Sequence, residues 1–229
     1  MMADGLFERF PCEAIFAMHN MPGFPQGQLL FRSGPTMASS DYATVTLHGV
    51  GGHGAMPHKA TDPLVAAASL VLALQTIVSR STDPVSALVV SVTCFNAGDA
   101  HNVIPQTAQL RGTFRTLDRQ VREDAEKRLR HVANMTAETF GAEAHVVISR
   151  GYPVTMNAPE NTGFAAEVAR SVSGRVDTDT APLMGAEDFS FMLNERPGAY
   201  IFLGNGDTAM VHHPAYNFDD NAIPFGASW

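Results

Sequence analysis

The feature that most constrains the fold is an ordered series of strand and helix patterns between residues 41 and 150. Alternating apolar and β-branched residues predict strands, and apolar residues at helical spacing predict helices. Their order is strand, helix, strand, strand, helix, strand, over residues 42–47, 62–79, 87–95, 107–116, 118–140 and 144–149. This is the order of the split βαβ, or ferredoxin-like, unit, so residues 41–150 are predicted to form a self-contained domain.

Two apolar segments flank this domain in the sequence. Residues 14–18 (AIFAM) and 199–203 (AYIFL) are typical of strands buried on both faces of a sheet. We predict that they share one α/β sheet, so that residues 1–40 and 151–229 form a partial domain into which 41–150 is inserted. Both ends of the chain stop abruptly, and we expect it to be the C-terminal half of a larger protein.

Composition and charge argue against nucleic-acid and membrane partners, a disulfide framework, a secretory signal and a membrane span. The net charge of −8 opposes binding to nucleic acid or to an anionic membrane surface. Cys12 and Cys94 are too few for a disulfide framework. The first residues lack the apolar stretch of a secretory signal, and the longest apolar run, 64–78, is shorter than the roughly 20 residues of a membrane span. We expect a soluble cytoplasmic protein.

Two histidines follow the two apolar strands. His19 comes directly after residues 14–18, and His212 comes after 199–203 and a glycine-containing loop. Ligand-binding groups of open α/β sheets collect at the carboxyl ends of the strands, and neutral imidazole is a common zinc ligand. The two histidines are therefore candidates for a shared divalent metal site. The spacing alone also fits histidines that only cap or shape loops.

Other polar side chains stand in segments that suit a binding site. Glu187 and Asp188 (GAEDF) either compensate the charge of a helix N-terminus or reach a metal cleft to orient a ligand or the substrate. Residues 49–54 (GVGGHG) match GxGxxG, but two prolines separate them from the next helix, which disfavours a nucleotide site. This loop is better suited to presenting His53. Asn102 (AHNVIP) can pair with a carbonyl or carboxylate. For both residues a structural turn role is the alternative.

Taken together, eight segments resemble the aminoacylase/carboxypeptidase metallopeptidase family, especially bacterial hippurate hydrolases and plant auxin-conjugate hydrolases. They occur in the family's order over nearly the whole chain: HNMP (19–22), GGHGAMPH (51–58), TDP (61–63), NVIP (102–105), GTFRT (112–116), YPVTMN (152–157), MGAEDF (184–189) and HHPAYNFDD (212–220). The resemblance implies cleavage of N-acyl amino acids by a water that bridges two divalent ions, which could be zinc, manganese, cobalt or nickel.

The resemblance also implies roles for single residues. His19 and His212 match metal ligands of the family. His53 matches a lid histidine that reaches the scissile carbonyl and steadies the developing oxyanion, often in the partner subunit's site. Asn102 matches a lid residue that holds the substrate carboxylate. Because the family's lid is a ferredoxin-like dimerisation domain, a homodimer through residues 41–150 is expected.

One part of the family pattern is missing from the sequence. The remaining ligands and the catalytic Glu-Glu pair of the family lie upstream of the HN motif, and Asp4, Glu8, Cys12 and Glu13 do not match them. With at most two of the family's ligands present, we expect this chain not to bind two metal ions tightly and to show little or no turnover alone. The alternative interpretation is a non-catalytic dimerisation or regulatory module derived from such an enzyme.

Overall fold

The computed structural model describes residues 1–2 and 4–229, which divide into two compact units. One unit comprises Met1–Ala38 with Pro153–Trp229, and the other comprises Ser39–Tyr152. The sequence predicts the boundaries between the units at 40/41 and 150/151, and each lies two residues from the boundary in the structure, at 38/39 and 152/153. Each unit combines helices with a β-sheet, so the predicted α/β class is confirmed.

The regular elements are as follows. The strands are β1 (Ile15–Met21), β2 (Leu29–Leu30), β3 (Gly34–Met37), β4 (Asp41–His48), β5 (Gly52–His53), β6 (Leu88–Ala97), β7 (Val103–Ile104), β8 (Thr107–Thr116), β9 (Glu143–Arg150), β10 (Thr155–Asn157), β11 (Val176–Asp177) and β12 (Gly198–Gly204). The α-helices are α1 (Leu6–Arg9), α2 (Pro63–Ser81), α3 (Arg119–Thr139), α4 (Pro159–Val172), α5 (Phe189–Leu193) and α6 (Ile223–Ser228).

The Ser39–Tyr152 unit has the predicted ferredoxin-like arrangement. Its antiparallel sheet has the order β6-β8-β4-β9, and α2 and α3 supply the βα connections. Both helices begin where the sequence provides a cap: Asp62 accepts the N–H of Leu64, and Asp118 accepts the N–H of Val121. The helices and one face of the sheet enclose a single core that includes Val45, Leu47, Leu70, Leu74, Ile77, Leu110, Phe114 and Leu129.

Helix α2 is the one helix among the described residues that is long and apolar enough to cross a membrane by length and composition. Its inner side, with Ala66, Leu70, Leu74 and Ile77, packs into the core of the Ser39–Tyr152 unit. Core helices of soluble proteins pass the same test.

The other unit is built on the sheet β1-β12-β2-β11. Strands β1 and β12 pair in parallel, with Ile15 opposite Gly198 and Met21 opposite Gly204, so the two apolar segments do share one sheet. Strand β12 is buried along its whole length, as predicted. For β1 the prediction of full burial is wrong, because the faces of this strand are only partly covered and Phe16 is 37% exposed.

Strand β12 separates two clusters of apolar side chains. Ala199, Ile201 and Leu203 face Leu29, Phe31 and the alanines of α4. Tyr200 and Phe202 face the opposite side, together with Met21, Leu30 and Met37. The second side of the sheet is the one that bears on the candidate site.

Candidate active site

His19 lies near the carboxyl end of β1, where it pairs with Phe202 of β12. Because side chains alternate along a strand and directly opposed residues share a face, His19 lies on the same face of the sheet as Tyr200 and Phe202. Its Nδ1 is 2.6 Å from the carbonyl oxygen of Asn20, which can only accept a hydrogen bond. The proton of a neutral ring therefore belongs on Nδ1, and Nε2 keeps the lone pair that a metal ligand needs.

The loop after β12, which carries His212, is tied to the carboxyl end of β1. The N–H of Asn205 donates to the carbonyl of Met21 at 3.0 Å. The side-chain amide of Asn20 donates to the hydroxyl of Tyr216. The immediate neighbour of His19 thus contacts a residue that lies four positions after His212.

His212 itself has an unusual backbone conformation. Its φ of 68° makes it the one non-glycine residue with a positive φ among the described part of the chain. Histidine tolerates this left-handed region better than most side chains, and such conformations cluster at functional sites. Within residues 1–2 and 4–229, no group of three or more His, Cys, Asp and Glu side chains is arranged to hold a metal ion. The roles of His19 and His212 as ligands stay predictions.

Glu187 is held by hydrogen bonds at both carboxylate oxygens. The hydroxyl of Tyr200 donates to Oε2 at 2.7 Å, and the N–H of Asp188 donates to Oε1 at 3.0 Å. The N–H of Phe189, at the start of α5, also points to Oε1, as the helix-compensation interpretation predicts. These contacts support the helix-compensation interpretation of Glu187, and its role in binding a ligand or the substrate stays a prediction.

These contacts determine how the acidic pair titrates. Burial acts to raise the pKa of Glu187, but hydrogen bonds from Tyr200, Asp188 and the backbone outweigh it, and the pKa of Glu187 is lowered. The pKa of Asp188 is raised, first by its hydrogen bond to Glu187 and then by burial and the charge of Glu187. Glu187 is thus the member of the pair whose ionised form is favoured by its contacts, and an ionised carboxylate can only accept hydrogen bonds.

The two predicted lid residues lie close together in the Ser39–Tyr152 unit. His53 in β5 pairs with Val103 in β7, and the N–H of Gly54 donates to the carbonyl of Asn102 at 2.7 Å. Nδ1 of His53 accepts the N–H of Ala55 at 3.0 Å, so a neutral ring carries its proton on Nε2. His53 therefore presents an N–H donor, which is the group that a developing oxyanion needs.

The glycines of residues 49–54 have a packing explanation. A Cβ on Gly49 would lie 2.2 Å from the carbonyl oxygen of Thr61, and one on Gly54 would lie 3.2 Å from the backbone of Asn102. Strand β5 lies within this motif, and a 3₁₀ turn at Pro57–Lys59 follows it before α2 begins at Pro63. Because no helix starts within the motif, its N–H groups have no helix N-terminus to join in a phosphate site, in agreement with the sequence interpretation.

Three residues beside the candidate site were not predicted from the sequence. Tyr200 stands in a strand that is otherwise apolar, so it resembles a core residue. Asn157 and Tyr216 lie in the family-like segments 152–157 and 212–220, but no pattern in the sequence indicates what they contact. The one feature of the sequence that could have pointed to Asn157 and Tyr216 is that each is a polar residue inside a segment that resembles the family.

Comparison with known proteins identifies the family. The model of peptidase family M20/M25/M40 matches residues 1–229. The chain belongs to this family. The predicted membership of an aminoacylase/carboxypeptidase-type metallopeptidase family is thereby confirmed, and named M20 relatives are hydrolases and peptidases.

Individual M20 relatives match most or all of the chain. A hippurate hydrolase of Campylobacter jejuni is 38% identical over 100% of the chain and 60% of the relative. An N-acetyl-L-cysteine deacetylase of Bacillus subtilis is 36% identical over 92% of the chain and 50% of the relative. The chain therefore spans half to three-fifths of the length of these relatives.

Solved structures agree with this assignment. A dinuclear metal-binding peptidase of the M20 family from Bacillus subtilis superposes with a TM-score of 0.82 at 28% identity, over 99% of this chain and 58% of that one. A crystal structure from methicillin-resistant Staphylococcus aureus gives a TM-score of 0.90 at 27% identity, over 99% and 59%.

Proposed function

We propose that this chain contributes to a metal-dependent amidohydrolase that cleaves the amide bond of N-acyl amino acids such as hippurate. The observation that carries the proposal is the junction of β1 with the loop after β12, through Asn20 and Tyr216. This junction draws the segments of His19 and His212 together in a chain of the M20 family. A relative named as a dinuclear metal-binding peptidase and another named as a hippurate hydrolase support the metal and the substrate class.

Five residues of the chain fit part of the chemistry of such an enzyme. His19, through Nε2, and His212 would help to hold the metal. Divalent ions, when bound, supply Lewis acidity and activate a water molecule for attack on the amide carbonyl. His53 would donate from Nε2 to the carbonyl oxygen of a substrate as negative charge develops there. Asn102 would bind the substrate carboxylate, and Glu187 would bind the substrate as a hydrogen-bond acceptor.

Metal binding is the direct test of the two proposed ligands. We expect the purified chain to bind zinc or manganese in calorimetric titrations, and His19→Ala and His212→Ala each to weaken that affinity at least tenfold. His213→Ala is the matched control, because Nδ1 of this neighbour accepts the N–H of Ala215 within its own turn. Equal affinities for all four proteins would contradict the proposal. Hippurate hydrolysis by the metal-loaded chain is expected to be slight or absent, and brisk turnover would show that the chain does not need the family's upstream residues.

A second proposal concerns the Ser39–Tyr152 unit, which we infer to carry a homodimer interface. Helix α2 exposes Leu64, Val65 and Leu72, the last of them 73% exposed. The edge strand β6 exposes Val89 and Phe95 and has no strand neighbour on its outer side within the described chain. Exposed apolar residues beside an open strand edge favour an interface with a second copy.

Sedimentation tests the dimer. The wild-type chain is expected to sediment as a dimer, and Leu72→Lys and Phe95→Lys as monomers. Val147→Lys is the control, because Val147 is 46% exposed on β9, the opposite edge of the same sheet. A monomeric wild-type chain, or dissociation by Val147→Lys alone, would overturn this interface.

A further inference from the structure

Tyr200 places a polar group inside an otherwise apolar cluster. Its side chain is 3% exposed and packs with Met21, Leu30 and Phe202. A buried hydroxyl needs a hydrogen-bond partner, since leaving it unpaired costs roughly 1–3 kcal/mol. The partner is Oε2 of Glu187 at 2.7 Å. Tyr200 therefore links the core of the sheet to a candidate substrate-binding carboxylate, on the face that also bears His19.

The backbone of Tyr200 is held by Asn157. The Oδ1 of Asn157 accepts the N–H of Tyr200 at 2.7 Å, and its Nδ2 donates to the carbonyl of Tyr200 at 2.8 Å. The same Nδ2 donates to the carbonyl of Arg32 at 2.9 Å. On this side of β12 the neighbouring strand β2 pairs only with Phe202 and Leu203. The buried amide of Asn157 thus replaces a strand neighbour at Tyr200 and fixes its position.

The carboxylate of Glu187 is consequently held in one orientation. Oε1 accepts the N–H of Asp188, and Oε2 accepts the hydroxyl of Tyr200, so rotation of the carboxylate would break both hydrogen bonds. Each oxygen retains acceptor capacity for a further donor. The neighbouring Asp188 is a second acid, and the pair repels the carboxylate of an N-acyl amino acid. The donor that such a substrate can offer is its amide N–H.

We propose that Tyr200, held by Asn157, is a positioning residue that fixes Glu187 as the acceptor for the amide N–H of an N-acyl amino acid. This inference rests on the proposed function, because it takes the substrate class from it. It adds the orientation of the substrate: the amide N–H points to Glu187, and the substrate carboxylate points away from the Glu187–Asp188 pair.

The positioning step can be tested without any substrate. In ¹³C NMR titrations of side-chain carboxyls, with Glu187 assigned through Glu187→Gln, we expect Tyr200→Phe to raise the pKa of Glu187 by about one unit. Tyr42→Phe, at a tyrosine that is 54% exposed, is the matched control and should leave that pKa unchanged. A folded Tyr200→Phe protein with an unaltered Glu187 pKa would overturn the proposal, because a tyrosine that only packs would give that result.

A second measurement avoids any change in the core. With ¹³Cζ-labelled tyrosine, Glu187→Gln is expected to shift the Tyr200 signal and to leave that of Tyr42 in place. Glu187 lies in a loop, so this variant keeps the test decisive if Tyr200→Phe fails to fold. An unmoved Tyr200 signal would overturn the positioning role.

The orientation of the substrate is tested with two ligands that differ at the amide nitrogen. We expect the zinc-loaded chain to bind N-benzoylglycine about tenfold more tightly than N-benzoyl-N-methylglycine, which lacks the N–H. Tyr200→Phe should weaken this preference, and Glu187→Ala, which leaves no side-chain acceptor, should abolish it. Equal binding of the two ligands by the wild-type chain would refute the N–H assignment alone. If neither ligand binds, both the N–H assignment and the proposed substrate class are refuted. The NMR titration would still decide the positioning role of Tyr200.

Discussion

At the scale of single residues, the most consequential polar contact in the Ser39–Tyr152 unit is the ion pair between Asp41 and Arg122. The guanidinium donates to both carboxylate oxygens, at 2.6 and 2.5 Å, and the N–H of Gly151 donates to Oδ1 at 3.1 Å. The Asp41 side chain is fully buried, and that of Arg122 is 12% exposed. The pair joins the first residue of β4 to α3 and to the chain segment that follows β9.

Removal of one partner should therefore be costly. Arg122→Met leaves the Asp41 carboxylate buried without its countercharge, and we expect the free energy of unfolding to fall by about 3–5 kcal/mol in urea denaturation. Arg119→Met is the matched control, because Arg119 is 92% exposed in its ion pair with Glu123 and should change stability by less than about 0.5 kcal/mol. Comparable losses in both variants would show that the burial of the Asp41 pair has no special weight.

Glu126 gives a prediction for pH. Burial acts to raise its pKa, but hydrogen bonds from Arg150 and Arg130 outweigh it, and the pKa lies below the ordinary value of 4.5. A carboxyl whose pKa is lower in the folded chain contributes stability above its unfolded pKa and loses it as pH falls through the folded value. The wild-type chain should be more stable than Glu126→Gln at neutral pH, and urea titrations should show this difference shrinking below pH 4.5. A difference that stays constant with pH would contradict the assignment.

The candidate site residues were chosen from the sequence because their chemical type is common in binding sites. Histidines after apolar strands and an acidic pair after a glycine are visible without coordinates. The role of Tyr200 is not, because it depends on Glu187, thirteen residues earlier, and on Asn157, forty-three residues earlier. Such contacts follow from the packing of β12 between other elements, which no local pattern encodes.

At the scale of elements, the long helices and strands were predictable because capping residues and periodicity agree. Asp118 precedes α3, whose buried positions Ala125, Leu129, Ala133 and Ala137 recur every four residues. Strands β2, β3, β10 and β11 contain two to four residues each, too few to show a period, and were missed. The full burial predicted for β1 was wrong because hydrophobicity does not reveal how completely other elements cover the two faces of a strand.

The cap of α3 can be tested at this scale. Asp118 accepts the N–H of Val121 at 2.9 Å, and we expect Asp118→Ala to lower the free energy of unfolding by about 1 kcal/mol through the loss of this N-cap. Asp118→Asn should retain most of the stability, because an amide oxygen caps a helix as well as a carboxylate does. If the asparagine variant loses as much as the alanine variant, charge rather than capping stabilises the start of α3.

At the scale of the whole molecule, the two units differ in how the sequence builds them. The Ser39–Tyr152 unit is one continuous segment with its own core, whereas the other unit combines two segments that lie far apart in the sequence. The ends of the continuous segment are adjacent, since the N–H of Ser40 donates to the carbonyl of Tyr152, and the N–H of Gly151 donates to the carbonyl of Ser40, both at 3.0 Å. Neighbouring ends and a separate core are the properties of a domain that folds on its own.

We therefore expect the excised polypeptide 39–152 to fold independently. Urea denaturation should give one cooperative transition, monitored in parallel by circular dichroism and by the fluorescence of Tyr42 and Tyr152. Leu129→Ala should destabilise it by about 2–5 kcal/mol, because Leu129 is 3% exposed in its core. Met135→Ala is the control, because Met135 lies in the same helix but is 45% exposed, and this substitution should change the free energy of unfolding little. A gradual transition, or equal effects of the two substitutions, would mean that the core of this unit forms only in the presence of the remaining chain.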